Sequence, residues 1–151
     1  MSALNPHIQA AAVTLAGLLG WLFLPATAIA ADPPSAVAPS IELNKLETTG
    51  TGCRAYLVVN NPGAASYQSF KLDLVLFQTD GVIGKRFALD LAPLKAQKTT
   101  VKLFDIDAIA CDRIGSFLIN DVIACQADTG PAQDCLQRLT VSALTTAKLS
   151  K

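Results

Sequence analysis

The chain has 151 residues, with 12 Lys/Arg against 12 Asp/Glu and a single histidine. A formal charge of zero argues against nucleic acid, which needs a basic face to displace counterions, and equally against strong binding to an anionic membrane surface. His7, Met1 and Trp21 all lie within residues 1–31, so the remainder has no histidine and builds no Ser-His or Cys-His nucleophile.

Residues 1–31 read as a secretion signal. Residues 10–24 are uncharged and mostly apolar, and Pro25 ends the run. Small residues then alternate, so that Ala28 with Ala30, or Ile29 with Ala31, fill the shallow pockets of a signal peptidase. The segment before residue 10 carries no Lys or Arg. A competing reading is an uncleaved anchor, because about 20 apolar residues cross a bilayer, and only that anchor would hold the chain at a membrane. Both readings place the rest outside the cytoplasm, periplasmic or secreted. All the charged residues follow residue 31. Residues 32–40 form a Pro-rich spacer, 41–146 a single domain, and 147–151 a tail.

Seven segments have strand character: 41–47, 53–60, 70–79, 82–91, 99–106, 116–125 and 136–144. In the third, Phe70, Leu72, Leu74 and Leu76 point one way, while Lys71, Asp73, Val75 and Phe77 point the other. Thr48-Thr49-Gly50-Thr51-Gly52 makes the first turn. Asn60-Asn61-Pro62-Gly63 ends the second strand, since Pro removes a donor and Gly accepts positive φ. Asp80-Gly81 signals a tight hairpin. Only residues 143–151 have a composition tolerant of helix. The expectation is an all-β fold: a single immunoglobulin-like, seven-strand antiparallel sandwich stapled by two disulfides, with a small closed barrel as the rival.

Four cysteines allow three pairings. Cys53 opens the second strand and Cys125 closes the sixth, and these strands run the same way. The two cysteines therefore sit at opposite ends of the domain, about 26 Å apart for an eight-residue strand, beyond the reach of a disulfide. Cys111 lies at the end that holds Cys53, and Cys125 and Cys135 flank the last connection. The predicted pairs are Cys53 with Cys111 and Cys125 with Cys135. The absence of a Cys-x-x-Cys and of closely paired ligands weighs against redox exchange and zinc.

Little else carries chemistry. Asp105, Asp107 and Asp112 are hard oxygen ligands suited to calcium, but they lack the EF-hand spacing and read as a solvated loop. Asn120-Asp121 interrupts an apolar strand, as a bulge does. Lys71, Lys85 and Arg86, and Lys95 with Lys98, read as a modest basic face or as charges that blunt a sheet edge. No cofactor is implied. The candidate partner-binding element is a nine-residue loop clamped between Cys125 and Cys135, comprising Gln126, Ala127, Asp128, Thr129, Gly130, Pro131, Ala132, Gln133 and Asp134. Ordered loops on rigid scaffolds often bind.

Residues 53–106 resemble the FxLyD-like group of bacterial extracytoplasmic sandwich domains. The shared pattern is a strand ending in Asn (Tyr56-Leu57-Val58-Val59-Asn60), an alternating strand closed by Asp80-Gly81, then a Leu-led turn and a Thr/Val strand over 94–103; the two residues between Phe77 and Asp80 depart from the tighter aromatic-Asp spacing of that group. The whole exported portion is similar to small exported alphaproteobacterial proteins of unassigned activity. These resemblances imply an accessory module of the envelope. The functional expectation is a non-enzymatic periplasmic domain that binds another envelope protein. The alternative is a carrier of a small apolar ligand or lipid, with a pocket between the sheets. A hydrolase or redox enzyme is the third reading.

Overall fold

The computed structural model describes residues 38–151; the expected signal and most of the spacer lie outside that range. Nine strands form two sheets. They are β1 (Ser40–Thr49), β2 (Gly52–Asn61), β3 (Tyr67–Gln78), β4 (Ile83–Asp90), β5 (Lys98–Ile106), β6 (Ile114–Ala127), β7 (Gly130–Pro131), β8 (Thr140–Ala143) and β9 (Lys148–Ser150). A single-turn helix, α1 (Cys135–Arg138), precedes β8. One sheet has the order β5-β2-β1-β8; the other has β4-β3-β6-β7, with β9 also on β6. The fold is an all-β sandwich, as its alternating strands predict.

Alternation explains the layers. Leu43, Ala55, Leu57 and Val59 of one sheet and Phe70, Leu72, Leu74, Leu76, Phe117 and Ile119 of the other are buried and meet in one core. Phe104 packs edge-on against Phe117, ring centroids 6.0 Å apart, and tilts against Phe87 at 5.5 Å. The expected turns are present. At Gly81 φ is +84°, and Asp80 accepts the N–H of Val82 at 3.0 Å. Gly52 answers a different need. A Cβ there would meet the Ile106 carbonyl at 2.5 Å, beside buried Cys53.

The end of the chain departs from expectation. The segment 136–144 is not one strand. Asp134 adopts left-handed backbone at φ 54°, α1 follows, and only Thr140–Ala143 extends as β8. The tail is not loose either: residues 148–150 form β9. β8 runs parallel to β1 and β9 parallel to β6, so the sheets are mixed rather than purely antiparallel. The physical reason is a change of sheet. Between β8 and β9 the chain crosses from one layer to the other, with Ala147 fully buried at the crossing.

Both disulfides pair as predicted. Cys53–Cys111 has a Cα separation of 4.9 Å and Cys125–Cys135 one of 6.6 Å. Cys111 opens a 3-10 turn, Cys111–Arg113, which leads into β6.

Candidate functional site

Part of the loop expected at residues 126–134 is a short hairpin, and Ala132, Gln133 and Asp134 lie outside it. Gln126 pairs with Pro131 and Ala127 with Gly130, leaving Asp128 and Thr129 as the turn. Asp128 is tied down at both ends: its N–H donates to the Ser66 carbonyl at 2.8 Å, and its carboxylate accepts the Ser66 N–H at 3.2 Å. Thr129, Gln133 and Asp134 are exposed. The sequence misjudged this element because Thr-Gly-Pro reads as a loop, and a strand of two residues leaves no periodic signal.

The other candidate residues have structural partners or separate places. Asp105 accepts Arg54 Nε at 2.6 Å and Arg54 Nη2 at 3.0 Å, and this guanidinium lowers the Asp105 pKa. Among the described residues, no group of three or more His, Cys, Asp or Glu is placed to hold a metal. Lys85 and Arg86 lie next to each other on β4 and so face opposite sides of it. Arg86 bonds Asp73, whose pKa is lowered by Arg86 and then by Asn120. Asn120 is the extra residue of a bulge: Asp73 opposes Asp121 and Leu74 opposes Ile119. Its amide donates to Asp73 Oδ2 at 2.7 Å. The interruption at 120–121 is therefore a bulge whose polar group is satisfied across the sheet.

A surface the sequence reading missed lies on the outer face of the β5-β2-β1-β8 sheet. β5 is an edge strand, and its Val101 and Leu103 are 58% and 54% exposed. They stand opposite Val58 and Tyr56 of β2, so four apolar or aromatic side chains lie together. The rim is polar and internally paired. Arg54 holds Asp105, Thr99 Oγ1 donates to Asn60 at 3.1 Å, and the Tyr56 hydroxyl donates to Glu47. Lys45 bonds Glu47 at 2.8 Å and lies over the Tyr56 ring at 5.2 Å. Lys45 first, then Tyr56, keeps Glu47 below the usual carboxylate range. The alternation Val101-Lys102-Leu103-Phe104 carried a signal. It places apolar side chains on both faces of the strand, and the face turned away from the core meets solvent.

Between the sheets the packing is tight. The void among Ile41, Leu57, Leu74, Phe117 and Leu149 amounts to about 10 Å³, the lower limit for a single water. A lipid carrier built on this core has to part its sheets.

Comparison with protein-family models, curated proteins and solved structures gives no match.

Proposed function

We propose that the chain is a non-enzymatic, exported interaction module that binds another protein of the cell envelope through the outer face of its β5-β2-β1-β8 sheet. The observation that carries the reading is the pair Val101 and Leu103, each more than half exposed on an edge strand beside Tyr56 and Val58. An apolar centre holding a tyrosine, ringed by polar groups already paired within their own chain, is the anatomy of a protein interface. The free backbone of β5 adds a means of recognition by strand pairing. Two formed disulfides fit an oxidising, exported setting. No helix among the described residues is long and apolar enough to cross a membrane. The signal-like residues 1–31 and the periplasmic assignment belong to the same proposal.

The test is an in-cell crosslink and pull-down of the full chain from envelope extract, read by mass spectrometry. The expected result is one abundant envelope protein, lost when Val101→Thr and Leu103→Thr are combined. Loss on replacing residues 126–134 with a Gly/Ser loop, and not with the β5 changes, would move the contact to the stapled hairpin. Recovery of a lipid and no protein would replace the interaction module with the carrier.

A further inference from the structure

β6 is covered on one edge by β3 along nearly its whole length. Its other edge is covered only at the two ends. β9 pairs with Ser116, Phe117 and Leu118, and β7 pairs with Gln126 and Ala127. The Cys125 carbonyl is also taken, by the Ala132 N–H at 3.2 Å. From Ile119 to Ala124 no described strand lies alongside. Asn120 and Ile123 are bulged, so those positions stand against only four residues of β3, Lys71 to Leu74, and at about 3.3 Å per residue they leave roughly 13 Å of edge without a strand neighbour.

The uncovered stretch opens into a cleft of about 280 Å³. Residues 121–125 form one wall, and Ala132 with residues 134–137 form the other. That volume falls just below the roughly 300 Å³ at which enclosed small-molecule pockets begin, and its long wall is a strand, so an extended chain suits it better. Cys125 and Cys135 both line it, so their disulfide fixes the separation of the two walls.

The charges in the cleft have one sign. Asp121 and Asp134 are both exposed, and neither belongs to an ion pair among the described residues. Asp121 Oδ1 accepts only the adjacent Val122 N–H, at 2.7 Å. Two of the nearby cations are engaged elsewhere. Lys151 Nζ donates to the Leu136 and Gln137 carbonyls at 3.0 and 2.7 Å, and Arg138 lines a separate groove with Ala38, Pro39 and Tyr67. Ile123, pushed out by a second irregularity in the ladder, is 52% exposed and adds an apolar contact.

We propose that this cleft takes an extended, basic peptide segment of a partner protein. The segment adds to β6 as a strand between β7 and β9 and presents Lys or Arg side chains to Asp121 and Asp134. Backbone pairing supplies affinity and the two carboxylates supply selectivity. The disulfide keeps the receiving walls ordered beforehand, which lowers the entropy lost on binding. The site is remote in sequence from Val101 and Leu103 and does not depend on the face they form.

The test uses the full chain and a fluorescently labelled six-residue peptide of alternating Lys and Val, with a Glu/Val peptide of equal length for comparison. Binding is read by anisotropy and the contact by amide NMR shifts. The Lys/Val peptide is expected to bind, to shift the amides of residues 119–124, and to weaken as salt rises. Combining Asp121→Asn with Asp134→Asn is expected to weaken it roughly tenfold, while Asp107→Asn leaves it unchanged. Equal binding of the Glu/Val peptide, an unaltered affinity in the double variant, or shifts confined to β5 would each overturn the proposal. A partner lost with Val101 and Leu103 but indifferent to the double variant would leave the β5 face standing without this cleft.

Discussion

Arg86 donates to both carboxylate oxygens of Asp73 across the β3–β4 pair, Nε to Oδ1 at 2.9 Å and Nη2 to Oδ2 at 2.7 Å. Asn120, from the strand on the other side of β3, adds a third bond to the same carboxylate. Three strands are thus tied through the side chain of one buried residue, 8% exposed.

That tie has a pH signature. Arg86 and Asn120 lower the folded-state pKa of Asp73. A lowered folded pKa means the stabilisation is complete above the unfolded carboxylate value, about 3.9, and is lost as pH falls through the folded one. Urea midpoints measured from pH 7 down to pH 2 should therefore fall more steeply below about pH 4 for the native chain than for Asp73→Asn. The variant should be less stable at pH 7. Parallel curves would mean that the carboxylate gains nothing from its partners.

Asn61 is a buried amide, 1% exposed, at the end of β2. Its Nδ2 donates to the Ala65 carbonyl at 2.9 Å and the Lys95 carbonyl at 3.1 Å, and its Oδ1 accepts the Gly63 N–H at 3.3 Å. One side chain joins the β2–β3 turn to the β4–β5 crossover. Asn61→Ala strands those backbone groups and should cost about 1–3 kcal/mol, read by denaturant unfolding. Hydrogen exchange should rise first at residues 62–66 and 92–97.

The two disulfides should differ in what they contribute. Cys53–Cys111 closes 58 residues and Cys125–Cys135 closes 10. Loop-closure entropy assigns them about 4 and about 3 kcal/mol. Cys53 is fully buried and its partner Cys111 partly exposed, whereas Cys125 and Cys135 are both partly exposed. Stepwise reduction with a dithiol, followed by alkylation and peptide mapping, should label Cys125 and Cys135 first. Serine pairs should destabilise more at 53/111 than at 125/135.

Phe117 lies at the middle of the core, 1% exposed and in edge contact with Phe104. Phe117→Ala should cost about 3–5 kcal/mol. Because it lines the small void between the sheets, the variant should also bind small apolar probes such as benzene more readily than the native chain, as calorimetry would show.

Most of the scaffold was legible from short-range chemistry. The alternation of Phe70, Leu72, Leu74 and Leu76 assigned the buried face of β3, and each of the four is 2% exposed or less. Asp80-Gly81 placed a hairpin. The cysteine pairs followed from strand direction alone. Of the candidate surfaces, the stapled hairpin was visible as a cysteine-bounded segment. The Val101–Leu103 face and the cleft on β6 were not. Val101 is apolar in any setting, and what exposes it is its place on the outer face of the β5-β2-β1-β8 sheet, on an edge strand.

Residue order by itself determined which of the longer segments extend, which way their apolar faces point, where the turns between them fall and which cysteines meet. Those properties depend on side-chain period and on turn residues a few positions apart. Tertiary structure decided the rest: that residues 135–138 curl into α1, that β8 joins β1 and β9 joins β6 in parallel, and that a stretch of β6 is left uncovered. Side chains alternate with the same period in parallel and antiparallel pairs. A strand of three or four residues therefore takes its partner and direction from the edge left free when the longer strands have packed.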